Sequence, residues 1–131
     1  MIDTNVIVSA FRSRRGPAFA LVSRIGSGAF EPSVSVPLVF EYEEILRRAT
    51  SLEEQEVLSV LRFLCSVAHQ QKIFYLWRPL LPDPKDDMVL ELAVASRSRF
   101  IVTYNQRDFA HAAHFGIESL MPEEFLLRIG V

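Results

Sequence analysis

Residues 1–10 read MIDTNVIVSA, in which two β-forming residues precede an aspartate and an apolar run follows it. The segment predicts a strand stub that runs directly into a helix from Asp3 to Phe11. Asp, Thr and Asn are residues that cap helices, so a local capping role would account for Asp3. The alternative is that Asp3 belongs to a site completed by residues much later in the chain.

Strand and helix signals alternate along the remaining sequence. Pro at a first helical position, Gly after a last one and a capping box at Ser51–Glu54 mark the predicted helix ends. The predicted helices are 17–25, 37–48, 51–70, 83–97, 105–114 and a closing helix from Pro122. The predicted strands are 30–36, 73–77, 100–103 and 117–120. Strands that alternate with helices predict an α/β fold, with a parallel sheet covered on both faces.

The composition is that of a globular protein with one domain. The 131 residues, 50% hydrophobic and 23% charged, support a single domain over 1–131, and no repeat or linker divides it. No apolar stretch is long enough to span a bilayer. The single cysteine, Cys65, excludes an intrachain disulfide and fits a reducing compartment. We therefore expect a cytoplasmic protein without a membrane segment.

The basic residues are clustered rather than evenly spread. A net charge of −2 argues against a protein whose whole surface grips nucleic acid. Arg12, Arg14 and Arg15 nevertheless form a local cluster directly after the first predicted helix. These side chains are candidates for contacts with nucleic-acid phosphates, and simple solvation accounts for them equally well.

Three acids fall where strands of the predicted sheet end and helices begin. Ligands of open α/β sheets bind at that edge, and Asp3, Asp86 and Asp108 follow it in the sequence. Each has a structural alternative. Asp86 lies three residues after the predicted cap Asp83, and Asp108 three after Asn105, which are capping-box positions. Taken singly, each of the three acids is explained better as part of a cap.

Glu41 is not explained by a cap. It lies in the middle of a predicted helix on the same stripe as Leu38 and Ile45, which are core positions. Its neighbours Glu43 and Glu44 each face an arginine four residues on and read as solvent-side ion pairs. A carboxylate on a core stripe is costly unless something positive meets it.

The same test ranks the two acids of the later helix. Asp86 shares its face with Val89 and Ala93, so we expect it to point inward. Asp87 shares its face with Glu91, so we expect both to point toward solvent. Because the two aspartates are adjacent, Asp87 stays the rival of Asp86.

If the inward-facing acids meet at one edge of the sheet, their mutual repulsion raises their pKa values or demands a cation. Oxygen ligands without Cys or His favour Mg²⁺ or Mn²⁺, ions that promote phosphodiester hydrolysis. The acids in question are Asp3, Glu41, Asp86 and Asp108. Neutral hydrogen-bonding groups beside them are Thr4, Asn5, Thr103 and Asn105.

Four segments together resemble the signature elements of PIN-domain ribonucleases. They are MIDTNV at 1–6, FEYEEIL at 40–46, DPKDD at 83–87 followed by Ala93, and IVTYNQRDF at 101–109. Their order, spacing and predicted secondary structure agree with the family, and the resemblance extends over the whole chain.

The resemblance implies a three-layer α/β/α sandwich with a mainly parallel central sheet and a Mg²⁺- or Mn²⁺-dependent endoribonuclease. It also implies the toxin of a bacterial type II toxin–antitoxin pair, a small antitoxin partner and a homodimer. By position, Asp3, Glu41 and Asp86 are the metal ligands and Asp108 is the fourth acid. Many relatives carry an acid at the position of Asn105, so Asp108 would serve in its place.

The chain departs from the family pattern at its first strand. Relatives usually have several β-forming residues before the first aspartate, and only Met1 and Ile2 precede it here. Either Met1 is an internal start or the strand is short and holds Asp3 loosely.

The sequence is also compatible with two other functional classes. One is a catalytically inactive PIN-fold module that binds nucleic acid or protein. The other is a phosphoacceptor domain of the receiver type, which needs an acidic pair after the first strand, whereas Asp3 is followed by Thr4 and Asn5.

Overall fold

The computed structural model describes residues 1–73 and 84–130, and the side chains of 84–87 also lie outside that description. Its helices are α1 Thr4–Arg12, α2 Pro17–Val22, α3 Val36–Ala49, α4 Glu54–Val67, α5 Pro84–Ala95 and α6 Pro122–Ile129, with a 3₁₀ helix at Gln106–Phe115. Its strands are β1 Ser33–Val34, β2 His69–Gln70, β3 Phe100–Val102 and β4 Glu118–Leu120.

The first residues of the chain form the predicted strand stub against β3. Ile2 is bridged in parallel to Val102. The Val102 amide donates to the Met1 carbonyl at 2.8 Å, and the Asp3 amide donates to the Val102 carbonyl at 2.9 Å. On its other side β3 pairs in parallel with β4. This pairing places Asp3 at the carboxyl end of β3, the edge at which the sequence predicts a site.

The fold is α/β and rich in helix, with strands of two or three residues. The parallel pairing predicted from the sequence is confirmed for the two strand pairs of the described residues, β1 with β2 and β3 with β4. Within the described ranges these pairs are separate two-stranded sheets rather than one continuous sheet. The strand predicted at 30–36 shortens to Ser33–Val34 because Ser35 becomes the cap of α3, its hydroxyl accepting from the Leu38 amide.

Several helix predictions differ from the structure. The helix predicted over 51–70 ends at Val67, because His69 and Gln70 form strand β2 and pair with β1. The capping box is not at Ser51: Glu53 caps α4, and the Glu53 amide donates to the Glu56 carboxylate at 2.9 Å. The segment predicted as an α-helix over 105–114 is a 3₁₀ helix, which ends at Gly116 with a φ of 73°. The strand predicted at 73–77 falls almost entirely outside the described residues.

The core is built around α1, α3, α5 and β3. Val6, Leu38 and Ile101 are fully buried, and so is Tyr42, whose hydroxyl donates to the Ile2 carbonyl. That bond ties α3 to the strand stub and thereby supports the residue that follows it, Asp3. No helix of the described ranges is both long and apolar enough to cross a membrane.

Candidate metal centre

Asp3 is both a helix cap and a buried acid. It is the N-cap of α1, and its Oδ1 accepts from the Thr4 amide at 2.8 Å. Its Oδ2 accepts from the Thr103 hydroxyl at 2.7 Å, across the strand pairing with β3. Only 6% of the residue is exposed. Asp3 therefore has both of the roles considered for it. Its Oδ1 caps α1, and its Oδ2 binds a residue far away in the sequence.

Burial raises the pKa of Asp3 above its ordinary value. The hydrogen bonds from Thr103 and Thr4 oppose that shift by stabilising the carboxylate, and the charges of Glu41 and Asp108 raise the pKa further. Asp3 forms no ion pair with any residue that the structure describes. A buried acid in the field of two others, held in a fixed orientation, fits a cation.

Glu41 is joined to Asp3 through Thr4. The Thr4 hydroxyl donates to Glu41 Oε2 at 2.5 Å, while the Thr4 amide donates to Asp3 Oδ1. Glu41 is half-buried, as its position on the core stripe of α3 predicts. Its neighbours Glu43 and Glu44 form the predicted ion pairs, at 3.4 and 3.6 Å from the arginines four residues on. The ion pairs predicted for Glu43 and Glu44 are confirmed, but Glu41 and Glu43 are both partly buried and only Glu44 is largely exposed.

The residues after β3 complete the hydrogen bonding. Thr103 is fully buried, and its hydroxyl accepts from the Asn105 amide at 2.9 Å while donating to Asp3. The Tyr104 amide donates to Asn5 Oδ1 at 3.4 Å. Asn105 makes no side-chain capping bond to the 3₁₀ helix, and its contribution comes from the backbone. Asp108 is half-buried in the first turn of that helix, close enough to act on the pKa of Asp3.

Only part of the candidate site lies among the described residues. Helix α5 begins at Pro84 as predicted, but the side chains of Asp86 and Asp87 lie outside the described residues. Among the side chains that are described, no three of His, Cys, Asp or Glu are grouped closely enough to hold a metal ion. The described part brings together Asp3, Glu41 and Thr103, with Asp108 at longer range.

One prediction for α5 is wrong. Glu91 was expected on a solvent face, and only 6% of it is exposed. The helix packs against α3, β1, β3 and the 3₁₀ helix, so all positions from Val89 to Ala93 are buried. The expectation that Asp87 faces solvent rested on its sharing a face with Glu91 and loses its support.

Tyr42 lies beside the candidate site and was not predicted there from the sequence. Burial, and after it the charges of Asp3 and Glu41, hold its pKa well above the usual range, so it is a neutral hydrogen-bond donor. The signal was present in the sequence, because Leu38, Tyr42 and Leu46 repeat at every fourth position and mark the buried stripe of α3.

The remaining candidates lie on the surface. Arg12, Arg14 and Arg15 are all exposed. His111 and His114, which share a helix face in the sequence, are exposed with their rings 5.8 Å apart.

A family model described as PIN domain matches residues 1–107. Asp3, Glu41 and both candidate aspartates of α5 lie within the matched range, and Asp108 lies just beyond it. No curated protein matches the chain.

Proposed function

The chain belongs to the PIN-domain family, whose members are commonly nucleases, and on that premise we propose that it is a Mg²⁺- or Mn²⁺-dependent endoribonuclease. The observation that carries the proposal is Asp3, a buried carboxylate with both oxygens hydrogen-bonded and no described ion-pair partner. The nearby charges of Glu41 and Asp108 make the site more negative, and a divalent cation relieves that repulsion.

In the proposed reaction, Asp3, Glu41 and Asp86 hold the ion, with Asp87 as the alternative to Asp86. A bound divalent ion would neutralise charge on the phosphodiester as water attacks it. Asp108 helps to hold the ion or orients the water. Hydrolysis leaves a 5′-phosphate and a 3′-hydroxyl, as in the nucleases that the chain resembles.

The other residues of the site act on the ligands rather than on the substrate. Thr4 and Thr103 each donate a hydroxyl proton to a carboxylate, which fixes the direction of its remaining lone pairs. Asn5 accepts from the Tyr104 amide and so holds α1 against the loop after β3.

Thr103→Val is expected to weaken Mn²⁺ binding by about 10–100-fold, the usual effect of removing the partner of a metal ligand. The substitution deletes the donor to Asp3 and also removes the acceptor of the Asn105 amide, whose hydrogen bond to Thr103 is partly buried. Thr103→Ser keeps the hydroxyl and should retain most of the affinity. Titration calorimetry with Mn²⁺ measures both, and equal affinities for Thr103→Val and wild type would contradict the role assigned to Thr103.

The finer parts of the proposal rest on the family resemblance. They are a three-layer α/β/α sandwich and the role of toxin in a type II toxin–antitoxin pair. The proposed cytoplasmic location rests instead on the single cysteine. The proposed partners are RNA, a small antitoxin and a second copy of the chain. A short reading frame for an antitoxin beside the gene would support the toxin role.

A second candidate function is a PIN-fold module that binds RNA or protein without cutting. Its support is that the described side chains do not by themselves assemble a three-ligand group. The two candidates differ in what the acids of α5 do.

Cleavage of a structured RNA with Mg²⁺ or Mn²⁺ separates the two functions. We expect the purified protein to cut, EDTA to stop it, and one of Asp86→Asn and Asp87→Asn to lose cleavage by at least about 100-fold. The other variant serves as the matched control, because it removes the same charge one residue away. Binding without cutting in either metal would favour the inactive module.

A further inference from the structure

A groove runs along α1 away from the acids. It has a volume of about 490 Å³, begins at Thr4 and Asn5, and ends at Arg12. Val8 on α1 and Ile45 on α3 supply its apolar part. The lining positions on α1 recur at helical spacing, so the groove follows one face of the helix over about 12 Å.

The groove starts at the candidate metal centre. Thr4, at its head, donates its hydroxyl to Glu41 and its amide to Asp3. Asn5 beside it accepts from the Tyr104 amide of the loop after β3. The acids do not line the groove, and Thr4 is the residue that both lines it and contacts them.

Arg12 supplies the positive charge at the far end of the groove. It is exposed and, unlike Arg47, Arg48 and Arg128, forms no ion pair with a described residue. A second cavity of about 810 Å³ is lined by Arg12 and Arg14 and also by the acid Glu56. Arg12 thus lines both cavities.

We infer that Arg12 binds a backbone phosphate of the RNA strand one or two nucleotides from the cleaved bond, with a sugar or base against Val8 and Ile45. This inference rests on the proposed function, since it assumes that the substrate is RNA. It follows from charge: the acids of the centre repel the substrate backbone, and Arg12 is the nearest described cation that lines the groove leading from them. It also selects Arg12 over Arg15 as the phosphate contact, two residues that the sequence alone could not rank.

Binding without catalysis tests the inference. The probe is a 12-nucleotide, fluorescein-labelled oligouridine in EDTA, followed by fluorescence anisotropy at several salt concentrations. Arg12→Gln should weaken binding by about 5–10-fold and reduce the salt dependence by roughly one phosphate contact. Arg62→Gln, which removes the same charge from an exposed position on α4, should leave both unchanged. Arg12→Lys should keep most of the affinity.

Two results would overturn the inference. One is an equal effect of Arg12→Gln and Arg62→Gln, which would make the attraction a property of net charge. The other is no binding by the wild type at low salt. Because no metal is present, a protein that never cuts RNA can still pass this test, so failure of the proposed function is seen separately.

Discussion

Asp3→Asn should abolish RNA cleavage and at the same time stabilise the metal-free protein. Cleavage should fall by at least about 100-fold, because a metal ligand is lost. The fold should gain stability at neutral pH, because burial raises the pKa of Asp3 and its ionised form is therefore unfavourable without a cation. Cleavage assays with Mg²⁺ and thermal unfolding in EDTA measure the two effects.

The pH dependence of this stabilisation has a definite sign. Between the ordinary value of 3.8 and the raised pKa of Asp3, the folded chain binds more protons than the unfolded one. The stability of the metal-free wild type therefore loses the contribution of Asp3 as pH rises through that window. The advantage of Asp3→Asn should grow over the same window.

The contribution of the Met1 amine to stability changes with pH in the opposite direction to that of Asp3. Burial lowers its pKa to about 5, so both proteins gain stability as pH rises from about 5 to 8. Subtracting the two unfolding curves removes this shared contribution. An Asp3→Asn protein that is less stable than wild type in EDTA at pH 7, or that still cuts RNA, would contradict the assignment of Asp3.

Glu41→Gln should also reduce cleavage by at least about 100-fold, with little effect on folding. The carbonyl oxygen of the introduced amide can still accept the Thr4 hydroxyl, so the hydrogen bond survives while the charge is lost. Glu43→Gln is the matched control on the same helix, because it breaks only a partly exposed ion pair with Arg47, worth about 1 kcal/mol or less. Cleavage rates and Mn²⁺ affinities should separate the two variants.

A shared loss of activity in Glu41→Gln and Glu43→Gln would point to general electrostatics rather than to a ligand. If both variants kept their activity, Glu41 would not be a ligand of the metal centre. Only loss at Glu41 with retention at Glu43 agrees with the placement of Glu41 on the core stripe of α3.

Helical spacing in a single sequence can reveal part of a site. Glu41 was identified because this spacing placed it with Leu38, and the structure buries Leu38 fully and Glu41 in part. The same reasoning failed at Glu91, because it assumes that a helix has one solvent face. Helix α5 is packed on several sides, and only the tertiary arrangement determines that.

The start of α4 shows how two local signals compete. Ser51 with Glu54 and Glu53 with Glu56 both have the spacing of a capping box, and the second pair is the one formed. Leu52 before the cap and Val57 at the fourth helical position both pack into the core, the pattern of a hydrophobic staple. A cap at Ser51 would have put Gln55 at that fourth position, so apolar burial determined the choice.

The bond between Thr103 and Asp3 spans 100 positions of the chain, and the bond from the Met1 amine to Phe100 spans 99. At about 5–20 residues per second, ribosomal synthesis separates the two partners by roughly 5–20 s. An unfinished chain that has made α1 to α4 therefore carries Asp3 without its Oδ2 partner and without the pairing to β3. Asp3 therefore acquires its Oδ2 partner only after the ribosome has added Thr103, 100 positions later.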